Sequence, residues 1–427
     1  MRHLFVYIEI GGCRILAGKI SGNGPEDAVF RYEEAYLEKN GGRPVSISLP
    51  LQREAFSAFR TKTFFEGLLP EGFTRRSVAQ WLGTDENDYL AILAGLGREC
   101  LGAVQVLNEG ETPPKPAYRR LTEKEVRDFA AEGATASAEL VTKARLSLTG
   151  ASGKTGLYFD ADSGTWYLPI GTAPSTHIVK QSHIRLQDIV VNEQLCQLTA
   201  KHLGINVPNS FIVEQKDGED LPMLFATCRY DRRMPVHPSV ISGHPVPVRL
   251  HQEDFSQAMG IPAAEKYERP DRHYLQDMFA LLRKHSADPI SDGLQLWDMI
   301  IFDYLAGNAD NHIKNFSLLY DENLTGIRLA PAYDMVSTAV YENQTKSMGF
   351  NIGGAYEIPE ISRSSFMAAA SEAGLSSRIA LQRFDRMAEA FAAALETAAE
   401  ELENRGISQA AEIKAEILRC GGIAKLI

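Results

Sequence analysis

GNADNHIKNFSLL, residues 307–319, sets six polar side chains (Asn308, Asp310, Asn311, His312, Lys314 and Asn315) between two apolar stretches. Before it, Leu294–Leu305 is apolar on most sides, the pattern of a buried helix. After it, Phe316–Leu319 predicts a short strand. A polar cluster between two core elements is costly to bury without a purpose. Its plainest reading is a helix–strand loop capped by Asn and Asp. The spacing asks for more, because Asp310 and Asn315 stand five positions apart and Asp334 follows 19 residues after Asn315.

Working outward, the chain has 427 residues, which predicts two or three packed units. Hydrophobic residues make up 44% and charged residues 23%, an ordinary globular balance. No apolar run reaches the roughly eighteen residues of a membrane span. MRHLFVYIEIGG at the N-terminus alternates and carries Glu9, so it reads as a strand and not as a signal peptide. The five cysteines are scattered without a CxxC pair, against zinc or a disulfide framework and in keeping with a reducing cytosol. A net charge of -11 makes the chain a poor unaided binder of nucleic acid.

Three segments follow. Residues 1–108 carry strand patterns at Leu4–Ile10 and Val45–Leu49, then a helical region from Arg75 to Leu96 with Trp81, Tyr89, Leu90 and Leu93 as expected core. NEGETPPKPAY, 108–118, is a linker, and Thr122 with Glu125 forms a capping box directly after it. Residues 119–245 hold a glycine-bearing segment, a strand at Thr176–Lys180, a helix at Asp188–His202 and a strand at Met223–Tyr230. Residues 246–427 are mostly helical, with a strong amphipathic helix at Ile379–Glu403 and no internal repeat.

Phosphoryl transfer needs a backbone cradle for phosphates, a lysine on them, a carboxylate to hold that lysine, a base for the attacking hydroxyl, and oxygen ligands for magnesium. This chain offers each in the order used by protein kinases. LSLTGASGKTG, 146–156, offers the cradle, with Gly150 and Gly153 for close approach and Lys154 for charge. Alone it is no more than a glycine-containing hairpin, and its spacing is not a Walker motif. Lys180 ends a strand and Glu193 lies one turn into the next helix; singly, each reads as a surface residue. Asp310 and Asn315 have the spacing of the base and the metal-binding asparagine of the kinase catalytic loop. Asp334, in LAPAYDMVST (329–338), takes the place of the kinase metal-binding aspartate, with Met335 where phenylalanine is usual. Magnesium prefers few protein carboxylates plus substrate phosphates, which suits Asn315 with Asp334.

Over essentially its full length the sequence resembles the HipA family of bacterial toxin kinases. FFEGLLPEG (64–72), SLTGASGKTGL (147–157), THIVK (176–180), NEQL (192–195), RYDR (229–232), HQEDFSQAMG (251–260), DNHIKNFSLL (310–319) and LAPAYDM (329–335) carry the likeness. The resemblance implies an α+β fold: a small N-terminal α/β subdomain joined to a bilobal protein-kinase-like body whose C-terminal lobe is mostly helical. It implies ATP and Mg2+ as cofactors, with Thr149, Gly150, Ala151, Ser152, Gly153, Lys154, Lys180, Glu193, His312 and Lys314 around the nucleotide, and backbone groups of Cys228, Arg229 and Tyr230 at adenine. Asp310 is then the catalytic residue, Asn315 and Asp334 the metal ligands, and Ser147 the autophosphorylation site. Ser152 and Gly153 stand where the family pattern has glutamine and its neighbour, which adds Ser152 as a second phosphate acceptor. The implied partners are a protein substrate in translation, typically an aminoacyl-tRNA synthetase, and a HipB-like helix-turn-helix antitoxin through which DNA is met indirectly. No membrane is involved and the place is the cytoplasm. Two rivals share these residues: a small-molecule phosphotransferase on the same scaffold, and a degenerate kinase kept as a corepressor. Intact Lys180, Asp310, Asn315 and Asp334 speak against the second.

Overall fold

The computed structural model describes residues 1–39, 43–131, 153–182, 186–213 and 222–426. Ser147, Thr149, Gly150, Ala151 and Ser152 lie outside the described residues. The fold is α+β, in two compact units that are each discontinuous along the chain: 1–184 with 213–263 and 319–326, and 185–212 with 264–318 and 327–427. The cut expected at 108–118 falls inside the first unit.

In the first unit, β1 (Arg2–Ile10), β2 (Cys13–Gly22), β3 (Val29–Tyr32) and β4 (Val104–Asn108) form a sheet in the order β3-β2-β1-β4. Leu4, Val6 and Ile8 are buried, as their alternation requires. The expected strand at Val45–Leu49 is not one. Only a bridge joins Ser46 to Leu49, because the side chain of Glu253 takes the Ser46 hydroxyl at 2.5 Å and the Ile47 N–H at 3.0 Å. The helical region of 75–96 is two helices, Gly72–Leu82 and Tyr89–Leu96, parted where Gly83 turns left-handed at φ 67°. Tyr89, Leu90 and Leu93 are buried, but Trp81 is 50% exposed on the outer face of the first helix and is not core. The Thr122–Glu125 capping box is present, with both reciprocal bonds made.

A second antiparallel sheet in this unit uses β5 (Ala117–Arg120), β6 (Lys154–Asp160), β7 (Thr165–Ile170), β8 (His177–Gln181) and the strand Leu224–Cys228. They lie in the order β5-β7-β6-β8 and then Leu224–Cys228. The second unit is built on helices Ile189–His202, Tyr274–His285, Pro289–Ala306, Arg363–Glu372 and Ser377–Glu403. Trp297, Tyr304, Phe366 and Phe384 interlock at its centre, with Trp297 Nε1 donating to the Ala380 carbonyl at 3.1 Å. Among the described residues no helix is long and apolar enough to cross a membrane.

Candidate functional site

In the second unit, the helix Pro289–Ala306 stops at Gly307, whose left-handed φ of 77° a side chain would resist. A Cβ there would also stand 2.7 Å from that of Ala339. From Ile301 to Lys314 every residue is buried except Asp310, whose side chain is 50% exposed. Neighbouring polar groups hold that apex. The Asp310 N–H donates to Asn308 Oδ1 at 3.1 Å, and Asn308 Nδ2 donates to Asp303 Oδ1 at 2.9 Å. Asn315 Nδ2 donates to the Asp310 carbonyl at 2.7 Å. Burial, with the charge of Asp310 adding to it, pushes the Asp303 carboxyl up to about 7 despite the Asn308 bond. Gly349 allows the strand Ser347–Ile352 to lie on the loop: a Cβ there would be 2.8 Å from His312 Cα, and its N–H donates to Asn311 Oδ1 at 2.8 Å.

Asp334 is tied to this loop through its neighbour. The Tyr333 hydroxyl donates to the Lys314 carbonyl at 2.8 Å and is 2.6 Å from Ser317 Oγ. Asp334 itself is half-buried, at a φ of 52° that Asp tolerates better than most residues. Three residues on, Ser337 exchanges two 2.9 Å bonds with the amide of Asn192, next to Glu193 on the helix Ile189–His202. Glu193 is buried there. His312 and Lys314 are buried in the loop, with His312 Nε2 3.8 Å from Asp310 Oδ1.

In the first unit, Lys154 on β6 and Lys180 on β8 are cross-strand partners, and both are buried. Lys180 Nζ lies 5.6 Å from the centre of the Phe225 ring. Two ammonium groups on one face of a sheet repel unless negative charge joins them. Gly153 has a local reason: a side chain there would collide with that of Gln181, whose N–H donates to the Gly153 carbonyl at 3.2 Å.

Cys228 closes the strand Leu224–Cys228, and the Arg229 N–H donates to the Thr176 carbonyl at 2.9 Å. In an antiparallel ladder the residue before a bonded pair points its own N–H and C=O the other way, so the backbone groups of Cys228 point away from β8 while its sulfur lies 3.2 Å from His177 Nε2. The side chain of Arg229 is wholly buried in an ion cluster. It grips Asp231 at 2.9 and 2.6 Å and reaches Ser175 Oγ at 3.0 Å. The N–H and guanidinium of Arg229 are thus committed, and its carbonyl already accepts the Arg232 N–H at 3.2 Å. Glu99 joins the cluster, 2.8 Å from Arg232 and 2.9 Å from Arg249, and Arg249 also meets Glu9 at 3.1 Å.

The HipA-like C-terminal domain family matches residues 146–395, more than half of the chain, and the HipA N-terminal domain family matches 13–107. The chain belongs to the HipA-like family. The Sinorhizobium fredii protein Y4mE, whose name proposes a kinase, is 34% identical over 392 residues, 89% of this chain and 90% of its own. The serine/threonine-protein kinase toxin HipA of Shewanella oneidensis is 28% identical over 333 residues, 75% of this chain and 72% of its own. A solved complex of Shewanella oneidensis HipA with HipB and operator DNA shares the fold, at a TM-score of 0.81 and 24% identity, covering 99% of this chain and 97% of that one.

For this HipA-like chain the structure groups Asp310, His312, Lys314, Asn315 and Asp334 in the second unit with Glu193, and Gly153, Lys154, Lys180 and Cys228–Tyr230 in the first. Sequence reading passed over Asp303, Tyr333, Asn192 and Tyr267. Of these, only Asp303 left a signal, an acidic residue within the apolar run Met299–Ala306.

Proposed function

We propose that this chain is an ATP- and magnesium-dependent serine/threonine protein kinase, the toxin of a toxin–antitoxin pair. The supporting observation is the catalytic loop itself: one exposed carboxylate, Asp310, at the apex of a buried polar segment whose amides fix its backbone on both sides. A general base must keep its orientation while staying open to the acceptor, and that is this arrangement.

The donor set suits the cofactors. Asn315 spends its amide nitrogen on the Asp310 carbonyl, which leaves its oxygen for a cation. With the Asp334 carboxylate this gives two hard oxygen donors, right for an ion that completes its shell with phosphates and water. Among the described residues there is no cluster of three His, Cys, Asp or Glu side chains set to cage a metal. Bound magnesium would neutralise phosphate charge at Asn315 and Asp334. Lys154 and Lys180 would take phosphate oxygens, backbone groups around Cys228–Tyr230 would meet adenine, and Glu193 is the candidate carboxylate for the lysine. Asp310 would take the acceptor hydroxyl's proton as its oxygen bonds to the γ-phosphorus and the bond from that phosphorus to the bridging oxygen breaks, so that ADP leaves.

The acceptors are a serine of a translation protein, an aminoacyl-tRNA synthetase, and Ser147 of the chain itself, with Ser152 as the second self-acceptor. The partner is a HipB-like helix-turn-helix antitoxin that carries the DNA contact, which accords with a charge of -11, and the setting is the cytoplasm. Purified protein with labelled ATP and magnesium tests the reading. Self-labelling that Asp310→Asn reduces by about a hundredfold or more, with ATP still bound, is the expected result. Transfer only to small alcohols points to the phosphotransferase rival. No transfer at all points to a corepressor. Full activity of Asp310→Asn removes Asp310 from the mechanism.

A further inference from the structure

The hydroxyl of Tyr267 donates to Asp310 Oδ1. Tyr267 lies between the helical turn Ala263–Glu265 and the helix Tyr274–His285, 43 residues before Asp310, and is 45% exposed. An exposed tyrosine touching an exposed carboxylate is commonly incidental, since a mobile surface side chain gains little from one such bond. Here the backbone that presents it is held. The next residue, Glu268, receives the Tyr274 N–H at 2.6 Å, the Asn351 N–H at 2.9 Å and the Tyr356 hydroxyl at 2.8 Å, while its own N–H donates to the Gly349 carbonyl at 2.8 Å. The strand that anchors Glu268 is the one that lies on the catalytic loop through Gly349. On the other side, the Lys266 carbonyl accepts the Ile313 N–H at 3.4 Å. The Tyr267 ring stands edge-on to His312, with centroids 5.1 Å apart. Tyr267 and the loop are thus two parts of one braced assembly within the second unit.

The geometry points to Tyr267 as a positioning residue for Asp310: its hydroxyl holds Oδ1 so that Oδ2 is turned to the acceptor hydroxyl. Both Tyr267 and His312 approach the carboxylate at Oδ1, at hydrogen-bond range and at 3.8 Å respectively. A carboxylate whose torsion is free offers either oxygen in many directions, and fixing one oxygen fixes the other. Backbone bonds from Asn308 and Asn315 place Asp310 along the chain, but the side-chain torsion needs its own restraint, and Tyr267 supplies it. The inference rests on the kinase reading above, with Asp310 as base.

The test uses the full chain with ATP and magnesium, following self-labelling and ATP hydrolysis for wild type, Tyr267→Phe and Asp310→Asn. Phenylalanine keeps the ring against His312 and removes only the donor. A hydrogen bond to a charged group is worth enough to expect kcat to fall on the order of tenfold to a hundredfold. The KM for ATP and the melting temperature should stay at their wild-type values. A merely structural role would lower the melting temperature and would not divide kcat from KM. If Asp310→Asn is inactive while Tyr267→Phe matches or exceeds wild type, the positioning role is wrong, and a gain in rate would mean the hydroxyl obstructs the acceptor. If Asp310→Asn keeps full activity, or wild type transfers nothing, the kinase reading falls first and takes this inference with it.

Discussion

Two buried acidic sites, one in each unit, are compensated in opposite ways. In the first, Glu9, Glu99 and Asp231 meet Arg229, Arg232 and Arg249, three charges of each sign. Burial alone would push the Glu99 carboxyl up, but the guanidinium groups of Arg249, Arg232 and Arg229 outweigh it and hold it down at about 2. Asp231 is likewise held at about 2, burial being overcome by Arg229 and Arg232. In the second unit, Asp303 is as deeply buried but has an amide for a partner, and its carboxyl rises to about 7. A balanced cluster is a device for holding backbone segments together. A buried acid left without a cation, directly behind an exposed carboxylate, marks the region where charge is kept for chemistry.

Breaking the balance should have the largest effect. Glu99→Gln removes one charge from a sealed cluster and leaves arginine uncompensated, at a cost of about 3–5 kcal/mol in denaturant unfolding. Because the Glu99 carboxyl is depressed when folded, its contribution is present above about 4.5 and is lost as pH falls toward about 2. Wild type should therefore lose stability over that window more steeply than Glu99→Gln. A loss under about 1 kcal/mol at neutral pH would mean that water reaches the cluster.

The next effect concerns the charge proposed for metal. Asp334→Asn keeps a residue type that accepts a positive φ, so it separates charge from backbone strain. Calorimetry of nucleotide binding with and without magnesium should show the magnesium dependence largely gone. Unchanged dependence would place the ion elsewhere.

At neutral pH and below, the gentlest test of the contrast is the slope with pH at Asp303. Its carboxyl is raised when folded, so the stability it lends is present below about 3.8 and is lost as pH rises through about 7. Asp303→Asn stays neutral throughout. Its stability relative to wild type should rise with pH across that window, by at most about 1.4 kcal/mol per unit. Parallel urea midpoints for the two proteins from pH 4 to 8 would show that Asp303 does not titrate there.

Signals that are local along the chain were legible from residues alone. The capping box at Thr122 and Glu125, the buried helix expected at Leu294–Leu305 and realised as Pro289–Ala306, and the amphipathic helix realised as Ser377–Glu403 all rest on neighbours within a few positions. The loop that carries Asp310 and Asn315 is legible for the same reason, since a five-residue spacing survives any tertiary arrangement. Trp81 misled because helical period shows that a stripe exists but not whether it meets another element, and this one faces outward. Val45–Leu49 misled because an alternating pattern cannot show that the distant side chain of Glu253 will take the Ile47 N–H and the Ser46 hydroxyl.

By itself, then, the sequence determined the family, the α+β character and the order of the candidate phosphate, base and metal residues, because each is carried by residue type and spacing along the chain. The tertiary structure decided which polar groups are compensated. It paired Glu99 with arginines from two distant segments, left Asp303 with an amide, committed the Arg229 side chain to the core, and brought Tyr267 to Asp310. Whether a charge is worth stabilisation or chemistry depends on what stands within a few ångströms of it in space, and contacts between distant segments leave no period or spacing in the chain to be read.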